Sequence, residues 1–210
     1  MTAHTAETQA KLTPTIALSL LKEGNKRFVN NLKVNRNLLE QVNATKDGQF
    51  PFAIILSCID SRTSAELIFD QGLGDIFSAR IAGNVLNEDI LGSMEFACKL
   101  AGSLLIVVLG HSKCGAIKGA CAGAKLGNLT TLLDKIQPSV DEVRTEFGAA
   151  VASNDSSFVE AVAHHNIIHT MDEILSRSSV LKELHDAGEI AIAGAYHDIE
   201  TGEVEFMKEI

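Results

Sequence analysis

Phe52-Ala53-Ile54-Ile55-Leu56-Ser57-Cys58-Ile59-Asp60-Ser61-Arg62 carries the strongest fold signal in the chain. Its first five residues form a continuous apolar run, the pattern of a strand covered on both faces as in a parallel sheet. Cys58, Asp60 and Arg62 then follow at a spacing of two, so in extended backbone they would project from one side. Thr63-Ser64-Ala65-Glu66 reads as a capping box that opens a helix, which would stop the strand just after Arg62. A buried strand therefore delivers a thiol, a carboxylate and a guanidinium to one end of a sheet.

Buried-strand signals recur at Ile76–Ile81, Leu104–Leu109 and Ile190–Tyr196. Helical patterns lie between them at Ser64–Phe69, Glu88–Leu100, Ala116–Lys125 and Phe158–Leu175. Such alternation implies right-handed crossovers and an α/β fold, a mostly parallel central sheet of about four strands flanked by helices. Val204-Glu205-Phe206, after the turn-like Glu200-Thr201-Gly202, adds a short edge strand. Upstream, Thr15–Asn31 reads as a helix with Ile16, Leu20, Leu21 and Phe28 near one face, and Leu38–Ala44 as a shorter one. Together they make an N-terminal helical arm over residues 15–45 behind a polar tail over 1–14. No repeat or Pro/Gly/Ser-rich linker divides the chain, so residues 1–210 are expected to form a single domain.

Bulk properties narrow the class. Of 210 residues, 46% are hydrophobic and 21% charged, which suits a globular protein with a substantial core. The net charge of −9, without a Lys/Arg cluster, argues against a nucleic-acid partner, since phosphates need a basic surface. The longest apolar run, Leu104–Leu109, is far too short to span a bilayer, and Met1–Thr15 lacks the apolar segment of a secretory leader. Four cysteines fit reduced thiols or metal ligands better than a disulfide scaffold, so a cytoplasmic location is expected.

The second informative segment is His111-Ser112-Lys113-Cys114, after the Leu104–Leu109 run. Cys58, His111 and Cys114 offer three soft ligands at strand ends on the face where such sheets build sites. Three ligands suit one Zn²⁺ and leave a fourth position for water or for Asp60, the arrangement of a catalytic rather than a structural site. Cys114 should fall near a helix start, whose amides would lower its thiol pKa. Asp60 would accept a hydrogen bond from a zinc-bound water, and Arg62 would hold that carboxylate by a charge-assisted pair. Two thiolates cancel the ion's charge, so the rate should rise towards alkaline pH. Cys98 and Cys121, inside helical patterns, read as small buried hydrophobes. His164, His165 and His169 share a helix, where a solvated or capping role outweighs a second metal site. Gly110–Gly115 has phosphate-loop spacing, but Ala116 and Ile117 stand where Lys and Ser/Thr are required.

In these residues the chain resembles the β-class carbonic anhydrases, from about Ile16 to Phe206. The anchors are Leu21–Phe28, Ser57–Arg62, Glu66–Asp75, Arg80–Asn84 and Leu109–Gly115. The resemblance implies a lyase, carbonate dehydratase, with one Zn²⁺ per subunit held by Cys58, His111 and Cys114. Asp60 and Arg62 would orient the zinc-bound hydroxide that attacks CO₂ to give bicarbonate and a proton, and Asp60 would be the fourth ligand in a closed state. It also implies a homodimer or dimer of dimers, with substrate pockets at the dimer interface and substrate contacts from Gln49, Phe77, Ala82 and Gly115. Phe96 stands where plant-like members carry a tyrosine. Members with an inhibitory bicarbonate site carry Trp and Gly where this chain has Ile55 and Ser57, which places it with the plant-like subgroup lacking that site. Alternatives are CS₂/COS hydrolysis on the same scaffold, or a non-catalytic zinc-binding protein with a degenerate site.

Overall fold

The computed structural model describes the backbone of residues 3–209 and the side chains of 3–207; Met1, Thr2 and Ile210, the outermost residues of the expected domain, lie outside it. Its strands are β1 (Ala53–Ser57), β2 (Ile76–Arg80), β3 (Leu105–His111), β4 (Ala191–His197) and β5 (Val204–Glu209). They form one sheet in the order β2-β1-β3-β4-β5, parallel except for β5, which runs antiparallel along β4. Every residue of β1 and β3 is buried, which is why both read as unbroken apolar runs rather than as alternating ones. The parallel α/β sheet with an edge strand matches the expectation.

The pleat divides the core. Ala53 and Ile55 of β1 face a layer with Ala17, Leu18 and Leu21, while Ile54 and Leu56 face Phe158, Val162, Ile167 and Met171. The first layer comes from α2 (Pro14–Val29) and α4 (Ala65–Ile68); the second comes largely from α9 (Ser156–Arg177). Helix α9 lies close against β3 and β4 because Gly110 and Gly194 face it. A Cβ on either would come within 2.7 Å of Ile167 or Met171. Each large apolar side chain fully buried in these layers contributes about 1.5–3 kcal/mol.

The remaining helices are α1 (Ala6–Gln9), α3 (Leu38–Thr45), α5 (Glu88–Glu95), α6 (Gly115–Cys121), α7 (Gly127–Leu133), α8 (Gln137–Phe147) and α10 (Ser179–Asp186). Sequence periodicity missed α1, α7, α8 and α10. α8 buries only Ser139, Val140 and Val143, too few apolar positions to mark a period, although Pro138 in its first turn was a start signal. The polar tail is pinned: Gln9 Nε2 donates to the Pro51 and Ala101 carbonyls at 2.8 and 2.9 Å. The buried face of α2 is Ala17, Leu18, Leu21, Gly24 and Asn25, whereas Ile16 is exposed, so the expected face was rotated.

Two expectations at the end of β1 fail. The strand stops at Ser57, and Cys58–Ser64 form a turn instead of continued extended backbone. Asp60 drives it: Asp60 Oδ1 accepts from the Arg62 amide at 2.9 Å, and its carbonyl accepts from Thr63 N at 3.0 Å. No capping box forms either: the hydroxyl of Thr63, its expected cap, donates to the Asp60 carbonyl at 2.9 Å, and the helix instead starts from Ser64, whose Oγ donates to Glu66 Oε2 and does not cap it.

Candidate metal centre

The chain turns back on itself between β1 and β3: β2 pairs with one edge of β1 and β3 with the other. Open α/β sheets bind ligands outside the carboxyl ends of strands at such a switch point. Cys58 follows β1 directly, His111 is the last residue of β3, and Cys114 is the N-cap of α6. Their ligand atoms all lie within 4.8 Å of one another, and all three residues are buried. Among the described residues this is the only group of three or more metal-ligating side chains that converges so.

The donor set fits a zinc ion. The two Sγ atoms stand 3.9 Å apart. Two sulfurs about 2.3 Å from one tetrahedral ion would be about 3.8 Å apart. His111 Nδ1 donates to the Ser112 carbonyl at 2.9 Å, which leaves Nε2 as the bare, basic nitrogen. That Nε2 is buried and has no hydrogen-bond partner, an arrangement that costs free energy unless something accepts its lone pair.

Without a cation the two sulfurs compete for charge. The hydrogen bond from Cys114 brings the Cys58 thiol down to about 4, against the opposing effect of burial. Cys114 is driven up by Cys58 first and by burial second. The amides of Ala116 and Ile117 do act to lower it, as a helix start should, but the neighbouring sulfur outweighs them. The expectation of a lowered Cys114 pKa therefore holds only for that helix contribution. Cys98 and Cys121 are pushed up to about 12 and about 11 by burial and behave as core residues.

Asp60 lies outside the cluster. Its two oxygens accept from Arg62 Nε at 2.9 Å and Nη2 at 2.7 Å, a bidentate fork. That pairing holds the Asp60 carboxyl far below the usual carboxylate range. Arg80, which sequence reading passed over except as a matching stretch, fixes the turn from the neighbouring strand. Its Nε donates to the Cys58 carbonyl at 3.0 Å and its Nη2 to that of Asp60 at 2.6 Å.

These features meet known proteins at the level of family. The carbonic anhydrase family model matches residues 53–204. Carbonic anhydrase 2 of Mycobacterium tuberculosis is 35% identical over 195 residues, 90% of each chain. The carbonic anhydrase of Mycolicibacterium smegmatis is 33% identical over 203 residues, 94% of this chain and 95% of that one. The solved β-carbonic anhydrase CcaA superposes with a TM-score of 0.73 at 26% identity, covering 91% of this chain and 95% of its own. The chain belongs to the β-class carbonic anhydrases. It is a zinc-dependent enzyme of reversible CO₂ hydration.

The expected substrate contacts of this β-carbonic anhydrase lie on different elements. Gly115 follows Cys114 and is exposed at the start of α6, and Ala82 precedes Gly83, whose amide reaches Cys58 Sγ at 3.4 Å. Phe77 instead lines, with Ala79, Ile90 and Phe96, a surface hollow of about 720 Å³ whose walls include none of the three ligands. Gln49 is exposed ahead of β1. His165 and His169 lie with ring centroids 6.5 Å apart, His169 facing Glu173, while His164 stacks on Tyr196. No described helix is long and apolar enough to cross a membrane.

Proposed function

We propose that Cys58, His111 and Cys114 hold the zinc ion of this carbonic anhydrase and that Asp60 and Arg62 are the pair that acts beside it. The observation that carries this is the convergence of the three donors within 4.8 Å, with His111 Nε2 left basic and unpartnered. When bound, the ion supplies Lewis-acid activation of a water molecule. Asp60, kept ionised by Arg62, would accept a hydrogen bond from that water and so orient it towards the substrate. The bidentate fork of Arg62 holds that carboxylate in one orientation, and Asp60 is not among the three converging donors. In a closed state Asp60 would leave Arg62 and become the fourth ligand itself.

Gly115 N–H and Ala82 serve the substrate from this chain, while Gln49 and Phe77 act across an interface between copies, as a homodimer or dimer of dimers. Support comes from the exposure of Gln49, from the hollow lined by Phe77, whose walls include none of the three ligands, and from two β-carbonic anhydrases of Sordaria macrospora, which share this fold and are tetrameric. A cytoplasmic single domain completes the proposal. So does membership of the subgroup that lacks an inhibitory bicarbonate site. Ile55 and Ser57 are buried within β1, where an anion would have to displace core. Bicarbonate bound near Ile55 in a soaked crystal would overturn that last point.

The deciding experiment is stopped-flow CO₂ hydration with a zinc assay on the wild type and Asp60→Ala. Loss of rate with zinc retained supports the assigned roles, and an unchanged rate overturns them.

A further inference from the structure

One hydrogen bond to the cluster comes from neither the Cys58 turn nor the His111 segment. The Gly83 N–H points at Cys58 Sγ, 3.4 Å away. Its direction is set by a short 3₁₀ turn, Ala82–Asn84, in which Gly83 (φ 70°) and Asn84 (φ 44°) both adopt left-handed backbone. Such backbone is unfavourable for a non-glycine residue and needs support from its surroundings. Little of that support is local: within the turn, Asn84 N donates to the Ile81 carbonyl at 3.0 Å.

The rest comes from α9, far away in sequence. Asn166 Nδ2 donates to the Gly83 carbonyl at 2.9 Å, and Thr170 Oγ1, one helical turn on, to the Asn84 carbonyl at 3.4 Å. Both side chains are 1% exposed. The orientation of the Asn166 amide follows from chemistry, because a carbonyl oxygen only accepts and so faces the NH₂ group. With its two successive carbonyls tied to one rigid helix, the turn has little freedom to rotate the Gly83 amide away. A Cβ at Gly83 would meet Ile136 Cδ1 at 2.7 Å, so the turn is packed from the other side as well.

We propose that Asn166, seconded by Thr170, is a positioning residue for the metal centre: it fixes the 82–84 turn so that the Gly83 N–H donates to Cys58 Sγ. An N–H···S bond draws charge from a thiolate and orients it, so Cys58 binds as a preset and weaker electron donor. This rests on the assignment of Cys58 as a metal ligand. Partners in this outer position typically alter metal affinity about 10–100-fold.

The test uses the whole protein, stripped and reloaded with zinc or cobalt. Asn166→Asp keeps the shape but sets a carboxylate oxygen against the Gly83 carbonyl, so the hydrogen bond is lost. The expected result is zinc affinity about 10–100-fold weaker in chelator competition, with the thiolate-to-cobalt charge-transfer band moved to longer wavelength. A merely structural role would lower the melting temperature of the metal-free protein and leave both readouts in place. A folded Asn166→Asp protein with unchanged band and affinity overturns the proposal. If that variant does not fold, Thr170→Val decides, with a smaller shift in the same direction expected and an unmoved band overturning it. A wild type that takes up neither metal overturns the ligand assignment, and this inference with it, whereas silent variants on a metal-binding wild type overturn the positioning role alone.

Discussion

Two aspartates are each gripped by arginine, Asp60 by Arg62 and Asp70 by Arg27 and Arg36. The chemistry of the pairs is the same and their surroundings are not. Asp70 and Arg36 are 2% and 7% exposed, while Asp60 and Arg62 are 16% and 53% exposed. Asp70 has no capacity left for a ligand, since it also accepts from the Val34 amide at 3.2 Å and its own carbonyl takes a further bond from Arg36. It ties the segment after α2 to the end of α4. The Asp60 carboxylate takes its bonds from Arg62 alone and keeps some exposure to solvent. Burial, not the identity of the pair, separates a clamp closed to any ligand from the one proposed to act beside the metal.

Breaking the two clamps with the same isosteric change should give crossed results. Asp70→Asn strands the buried Arg36 charge and should cost about 3–5 kcal/mol of stability in urea unfolding, with zinc affinity unchanged. Asp60→Asn should leave the urea midpoint near that of the wild type and lower kcat/KM for CO₂ hydration by about 10²-fold or more. If Asp60→Asn destabilises as much as Asp70→Asn, the distinction drawn from burial is wrong.

Arg62→Lys sharpens the point further. Lysine keeps the charge but not the planar fork, so one charge-assisted hydrogen bond of about 1.5 kcal/mol is lost and the rate should fall roughly tenfold with zinc retained. An unchanged rate would mean that charge alone suffices. The smallest expected effect concerns pH. Burial pushes the Asp70 carboxyl up, but Arg27, Arg36 and the Val34 amide outweigh it and the net shift is downward. A depressed folded-state pKa stabilises above the unfolded value of about 3.9 and is lost as pH falls through the lower folded value. The stability gap between wild type and Asp70→Asn should therefore be constant near neutrality and narrow below about pH 4. A gap that widens in acid contradicts this sign.

Much of the centre was legible before the fold was known. Cys58, His111 and Cys114 are soft ligands placed after apolar runs, and strand ends were the right place to look. Arg80, Asn166 and Thr170 left no such signal. Each acts through a side chain reaching the backbone of a segment distant in sequence, and an Arg, Asn or Thr destined for that task looks like any other. Gln49 and Phe77 were expected to contact substrate in a pocket shared between copies; Gln49 is exposed ahead of β1 and Phe77 lines a surface hollow, and what a second copy would bring to either is not written in the pattern of one strand.

The parallel sheet was readable from unbroken apolar runs alternating with helical patterns, and the donor set from residue types whose chemistry survives any folding context. Folding in three dimensions set the end of β1 at Ser57, so that Asp60 meets Arg62 across a turn, and brought α9 to the turn whose amide points at Cys58. It also decided which aspartate is buried beyond use. The physical reason is range: strand pattern and ligand type are local properties, whereas burial, hydrogen-bond direction and the pKa of a coupled thiol pair depend on groups that only folding brings within a few ångströms.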